Sequence, residues 1–226
     1  MASIFGVAGV SSVTRNTADA GQMQLRTDRS GALATVDWMT ALALEGRVFG
    51  VNVGTGTAPT TFNAAYSAGE QDFYLYVPAG KVVIPLYIGI QMEDSGTALV
   101  QDILAAVSDN GDSSVTGTAL TVYNLRSDAP FSSACTATAV VTSGGTTHLA
   151  GNRVEFWRPT AGFAEDGFNG STAWVNNKMH GMEWSARTSI PPVIAPLGAL
   201  SIYVGAQAGT GFIEVIYAEL PSNAIV

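Results

Sequence analysis

Short runs of alternating apolar and polar residues, each closed by glycine, proline or a small polar residue, recur along most of this chain. Arg47-Val48-Phe49-Gly50-Val51-Asn52-Val53 is the cleanest of them. Its period of two sets Val48 and Gly50 opposite Phe49, Val51 and Val53, as in a strand with one face in a core. Gln22-Met23-Gln24-Leu25-Arg26-Thr27 alternates likewise, and Asp28-Arg29-Ser30-Gly31 turns it. Residues 32–44 are β-permissive throughout, with 38–44 also compatible with a helical turn, and Glu45-Gly46 breaks the run. Asp72-Phe73-Tyr74-Leu75-Tyr76-Val77 predicts a strand, and Pro78-Ala79-Gly80 a tight turn in which proline fixes φ and glycine accepts a positive one. Residues 81–92 then predict the returning strand of a hairpin. Pro85 within them has no N–H to donate, so that strand is expected at a sheet edge or bulged at the proline.

Two periods fit residues 98–107. Leu99, Ile103, Leu104 and Val107 match a helix, whereas Ile103, Ala105 and Val107 match a strand. The strand is preferred, because Asp109-Asn110-Gly111-Asp112 is a hairpin signal and residues 115–125 offer a partner. Residues 136–142 and 153–157 predict further strands, 159–171 a polar loop, and 174–188 a mixed segment. The chain closes with Ala199-Leu200-Ser201-Ile202-Tyr203-Val204 and Gly211-Phe212-Ile213-Glu214-Val215-Ile216-Tyr217-Ala218, joined as a hairpin by residues 205–210. About ten strands and no long helix predict an all-β fold, a jelly-roll-like β-sandwich. No internal repeat suggests a propeller. One sandwich domain over 17–226 is expected, preceded by a flexible apolar N-terminal arm over 1–16 that orders against a neighbour.

Composition constrains what such a sandwich touches. The 226 residues include ten basic and eighteen acidic ones, 12% charged in all, with 47% hydrophobic. An ordinary soluble domain carries roughly 25% charged residues. A compact monomer of 23.4 kDa exposes about 9,700 Å², or roughly 350 Å² per charge, a sparse coat that calls for cover by a membrane or by protein. A spanning helix needs about 20 apolar residues. The run from Val82 to Ile90 is short and holds Pro85, and the uncharged stretch between Arg187 and Glu214 holds Pro191, Pro192 and Pro196. The apolar start lacks the basic flank of a signal peptide, and no lipidation box is present. Protein is therefore the expected cover, in an oligomer or larger assembly, with no membrane partner. A net charge of −8, with the basic residues scattered, argues against nucleic acid as a partner.

No motif adds up to a catalytic, cofactor-binding or metal site. Cys135, in Ser133-Ala134-Cys135-Thr136, reads as a small buried hydrophobe, and a lone cysteine allows no internal disulfide. Val53-Gly54-Thr55-Gly56 begins like a dinucleotide fingerprint but leads to Pro59 rather than a helix. Pro78-Ala79-Gly80-Lys81 lacks the full phosphate-loop pattern. His148 and His180 have no local Cys or carboxylate partner for zinc. Asp94, Asp109, Asn110 and Asp112 lack the spacing of a calcium loop. Glu155 with Glu165 and Asp166 is a thin carboxylate pair for glycoside hydrolysis. Asn169-Gly170-Ser171 fits a glycosylation sequon without a sign of secretion. Trp157, Phe163, Phe168, Trp174 and Trp184 fall in or beside one loop-rich region. They are read as staples of long loops or as interface filling, with a carbohydrate-stacking face as the competing reading.

Gln24-Leu25-Arg26-Thr27-Asp28-Arg29-Ser30-Gly31-Ala32-Leu33 and Gly46-Arg47-Val48-Phe49-Gly50-Val51-Asn52-Val53-Gly54-Thr55-Gly56-Thr57 resemble the opening of jelly-roll virion proteins of tailed bacteriophages. The hairpin Tyr76-Val77-Pro78-Ala79-Gly80-Lys81-Val82-Val83-Ile84-Pro85-Leu86 and the closing Phe212-Ile213-Glu214-Val215-Ile216-Tyr217-Ala218-Glu219-Leu220-Pro221 are similar in style. The resemblance implies a capsid cement (decoration) protein without catalytic residues: a homotrimer bound to the major capsid protein of the head, located in the virion after assembly in the host cytoplasm. Two alternatives stand beside it, a trimeric receptor-binding or tail-tip module and a secreted β-sandwich glycan-active enzyme.

Overall fold

The computed structural model describes residues 37–63, 69–94, 100–128, 131–144, 153–162, 181–205 and 209–224. The expected arm at 1–16 and the first predicted strand lie outside them. In chain order the elements are helix α1 (Trp38–Leu44) and strands β1 (Val48–Val53), β2 (Thr60–Thr61), β3 (Phe73–Tyr76), β4 (Lys81–Asp94), β5 (Val100–Ser108), β6 (Thr116–Leu120), β7 (Tyr123–Asn124), β8 (Thr136–Ser143), β9 (Arg153–Trp157), β10 (Thr160–Gly162), β11 (Gly181–Ser185), β12 (Ala199–Gly205) and β13 (Thr210–Pro221).

The strands form two antiparallel sheets. The front sheet runs β11-β4-β13-β1-β7, with β2 beside the start of β13. The back sheet runs β10-β5-β12-β3-β8-β6, with β9 also pairing β5. Alternate residues of both fill one core, among them Phe49, Val51, Ile88, Ile90, Val215 and Tyr217 from the front and Phe73, Leu75, Ile103, Leu200 and Ile202 from the back. This is the expected β-sandwich.

The pairing corrects three predicted hairpins. β3 and β4 flank the Pro78-Ala79-Gly80 turn as foreseen, with Gly80 at φ 77°, but β3 belongs to the back sheet and β4 to the front. β12 and β13 are divided in the same way. β5 and β6 share the back sheet but are separated by β12, β3 and β8. The physical reason is common to all three. Alternation specifies which face of a strand is buried, and a connection that crosses the core (β3 to β4, β12 to β13) or skips intervening strands of one sheet (β5 to β6) satisfies it as well as a turn to the neighbouring strand. The strand reading of 100–108 holds. So does the bulge at Pro85: Ile216 pairs with Tyr87 and Tyr217 with Pro85, leaving Leu86 as the extra residue of an interior strand.

Residues 38–44 are helix rather than strand. Asp37 caps α1 by accepting from the Thr40 N–H at 3.4 Å. Leu42 is buried with Val48, Leu86 and Ala218, and Ile84 and Ile216 pack around them. The helix thus lies on the outer face of the front sheet, over the half nearest the start of β4 and the end of β13.

Candidate functional site

Among the described residues no element covers the other half of that outer face. Cross-strand register lays its residues in rows. Glu183, Gly89, Glu214 and Asn52 stand side by side on β11, β4, β13 and β1. The next outward row toward α1 is Ser185, Tyr87, Ile216, Gly50 and Tyr123, and the next away from it is Gly181, Gln91 and Phe212. Asn52, Tyr87, Gly89, Glu183, Phe212 and Glu214 of these rows floor a groove of about 950 Å³, walled on one side by residues 118–121, the end of β6 and the residue after it.

Gly89 gives the groove its shape. A Cβ there would stand 2.7 Å from Tyr87 Oη and 2.8 Å from Cε1, so the Tyr87 ring lies across the position a side chain would fill. Glycine inside a strand commonly marks such a close approach. The Tyr87 hydroxyl lies near the Glu183 carboxylate. Partial burial, then the charges of Glu183 and Glu214, hold the phenol above its ordinary value. The result is a tyrosine ring seated on Gly89 near two exposed carboxylates. At the far end Gly54, with φ 94°, lets Phe212 close over the loop, since a Cβ there would stand 2.6 Å from Phe212 Cδ1.

A second polar group closes the opposite end of the sandwich from inside. Glu219 accepts from Lys81 at 2.8 Å, from the Ser133 hydroxyl at 2.6 Å and from the Ala134 N–H at 3.0 Å. Ser133 gives its one hydrogen to Glu219, so the Tyr217 hydroxyl, 2.8 Å away, donates to Ser133. Burial would raise the Glu219 carboxyl, but Lys81, Ser133 and Ala134 outweigh it and hold the group below its ordinary range. Cys135 is buried beside this clamp. Burial, then the charge of Glu219, pushes its thiol to about 12, away from the thiolate a nucleophile requires. Asp72, another buried carboxyl, accepts from the Asn63 and Val204 N–H groups, both at 2.7 Å. Burial raises it to about 7 against those two donors.

No family model matches the chain, and neither a curated protein nor a solved structure is significantly similar to it. The site is therefore read from geometry alone.

Few of the residues weighed in the sequence meet at either place. Gly54 and Gly56 line the groove's lip in a loop closed by Thr55 and Ala58, and the short strand β2 follows rather than a helix. Lys81 joins the Glu219 clamp. Asp112 holds the Ser114 N–H and hydroxyl, at 2.8 and 2.6 Å, inside its own turn. Glu155 is paired with Arg153 and Arg158. Trp184 is a core residue, edge-on to Phe156, and Trp157 packs at the core margin. His148, Glu165, Asp166, Asn169, His180, Phe163, Phe168 and Trp174 lie outside the described residues, as does the side chain of Asp94. Among the described residues no three His, Cys, Asp or Glu side chains gather as a metal site, and no helix is long and apolar enough to cross a membrane.

The sequence reading missed Tyr87, Gly89, Glu183 and Glu214. A signal was present for Gly89 and Glu214. In Tyr87-Ile88-Gly89-Ile90-Gln91 and Phe212-Ile213-Glu214-Val215-Ile216, glycine and glutamate occupy outward positions where a covered strand would carry an apolar residue.

Proposed function

We propose that this protein is a structural component of a virion, a capsid cement protein that stabilises a phage head as a homotrimer bound to the major capsid protein. The observation that carries the reading is the apolar end of the sandwich, opposite the groove. Leu44, Leu125 and Phe131 are exposed around the β7 edge, and Ile190, Val193 and Leu197 along the loop that follows β11. Both groups lie toward the end of the sandwich where β4 starts. Ile194 bridges Val83, the Leu197 N–H bonds Val77, and the Arg47 guanidinium lies over the Phe131 ring. Leu197 is held at φ 64° with its side chain half exposed. That conformation costs a bulky residue roughly 1–2 kcal/mol, so displaying this leucine opposes intrinsic preference. The charges at this end are paired with one another, Arg47 with Glu45, Lys81 with Glu219 and Arg126 with Asp128. An apolar surface with its ionic groups neutralised in place suits burial against protein. Connections that repeatedly carry the chain from one sheet to the other also suit a jelly-roll-like arrangement. The resemblance of the opening segments to phage virion proteins supplies the context.

The test is the mass of the purified protein by light scattering, followed by addition to heads that lack it. A trimer that occupies heads is expected. Leu44→Asp combined with Leu197→Asp should abolish assembly and leave the protomer folded, since both side chains are already exposed. A well-behaved monomer that ignores heads would overturn the reading.

A further inference from the structure

We propose that the open half of the front sheet is a binding site for a neutral saccharide chain. Three properties of the groove point there. Its rings and its acceptors are interleaved. Tyr87, Phe212 and Tyr123 offer faces whose negative quadrupole attracts the C–H side of a pyranose, and Glu183, Glu214, Asn52 and Gln91 offer acceptors for the hydroxyls around that ring's edge. Its central platform is pre-organised, because Gly89 seats the Tyr87 ring against the strand, so little side-chain entropy remains to be lost on binding. Its charge selects among sugars. Two exposed carboxylates in a protein of net charge −8 repel sialylated, sulfated or phosphorylated glycans and accept hydrogen bonds from neutral ones. A volume near 950 Å³ suits a short oligosaccharide.

The geometry favours binding over hydrolysis and over a cation. Glu183 and Glu214 rise side by side from one sheet face, two strands or roughly 10 Å apart, with Tyr87 between them. They do not oppose each other across a scissile bond, and a single calcium ion needs its oxygens at about 2.3–2.6 Å.

The experiment is amide NMR of the full-length protein titrated with maltotetraose, cellotetraose, mannotetraose and chitotetraose, with sialyllactose as the acidic control. At least one neutral tetrasaccharide should bind saturably, with shifts confined to residues 52–60, 87–91, 118–123, 183 and 212–214, and sialyllactose should leave them unmoved. Tyr87→Ala should weaken binding at least about tenfold, and Glu183→Gln or Glu214→Gln each about threefold. Gly89→Ala keeps an ordinary strand backbone but pushes the Tyr87 ring from its seat. It should weaken binding nearly as much as Tyr87→Ala while unfolding like wild type. The proposal is overturned if no neutral tetrasaccharide moves groove amides. It is equally overturned if folded Gly89→Ala and Tyr87→Ala bind as wild type, or if the shifts fall at the apolar end. The assembly reading is independent: a trimer that binds no sugar leaves it standing, and a sugar-binding monomer leaves this site standing.

Discussion

Strand β13 carries two glutamates five residues apart, and their surroundings divide the front sheet. Glu219 sits at the base, buried, with a lysine, a hydroxyl and a backbone N–H on its carboxylate. Glu214 sits in the open half, exposed, beside Gly89 and Asn52. The outer face differs in the same sense. Over the base lies α1, with Leu42 among Val48, Leu86 and Ala218. Over the open half the described elements place no cover. The strands are continuous through both halves, so strand formation does not account for the contrast. The base is built to be stable, and the open half keeps polar groups on a rigid floor where a ligand reaches them, as functional sites on ordered elements do.

The comparison is broken most forcefully at α1. Leu42→Ala removes a buried side chain from between helix and sheet and should cost about 3 kcal/mol, read as a lowered urea midpoint with an unchanged slope. Gln91→Ala in the open half should stay within about 0.5 kcal/mol. Equal losses at the two positions would mean that the open half is structural too.

The next effect is at the clamp and depends on pH. Glu219 is held below its ordinary value of 4.5, so its contribution is present in full above about pH 4.5 and is lost as pH falls through the lower folded value. Glu219→Gln should cost about 2 kcal/mol at pH 7, and the gap to wild type should close in acid. Asp72 acts with the opposite sign. It is raised from 3.8 to about 7, so its contribution is complete below about pH 3.8 and is lost as pH rises through about 7. Asp72 is common to both proteins and cancels in the difference, and for that reason the measurement is the gap between two urea curves at each pH. A gap that stays constant from pH 7 to pH 3 would show that Glu219 acts through packing rather than charge.

Much of the sandwich was legible because the core imposes it locally. Phe49, Val51 and Val53 alternate with outward residues whatever strand lies beside them, and Pro85 forces its bulge from within one strand. Partnership was not legible. Nothing within residues 78–80 distinguishes a hairpin from a corner that crosses the core, and β12 and β13 end on different sheets for reasons distributed over the whole fold. Helix α1 was half visible, since Asp37 and Thr40 form its cap but its apolar stripe is meaningful only against Val48 and Ala218. The groove was least visible. Its carboxylates come from strands 31 residues apart in sequence, at 183 and 214, and only the register through Gly89 aligns them.

The smallest predicted effect is also the sharpest discriminator between the halves. Glu183 and Glu214 are exposed like charges roughly 10 Å apart by strand spacing, which in bulk water repel by about 0.4 kcal/mol and by less at physiological salt, where the screening length is about 8 Å. Glu214→Gln should therefore raise stability by a few tenths of a kcal/mol at low ionic strength, with the gain fading as salt is added. The sign is what matters. At the base, replacing a carboxylate by an amide destabilises because one of the two oxygens that accept from Lys81, Ser133 and Ala134 becomes an NH2 donor and the charge facing Lys81 is lost; in the groove the same replacement relieves repulsion because no fold-determining donor depends on it. A loss above about 1 kcal/mol for Glu214→Gln, insensitive to salt, would place Glu214 with Glu219 as a structural acid. It would also remove the reason for treating the open half as a surface kept free for a ligand.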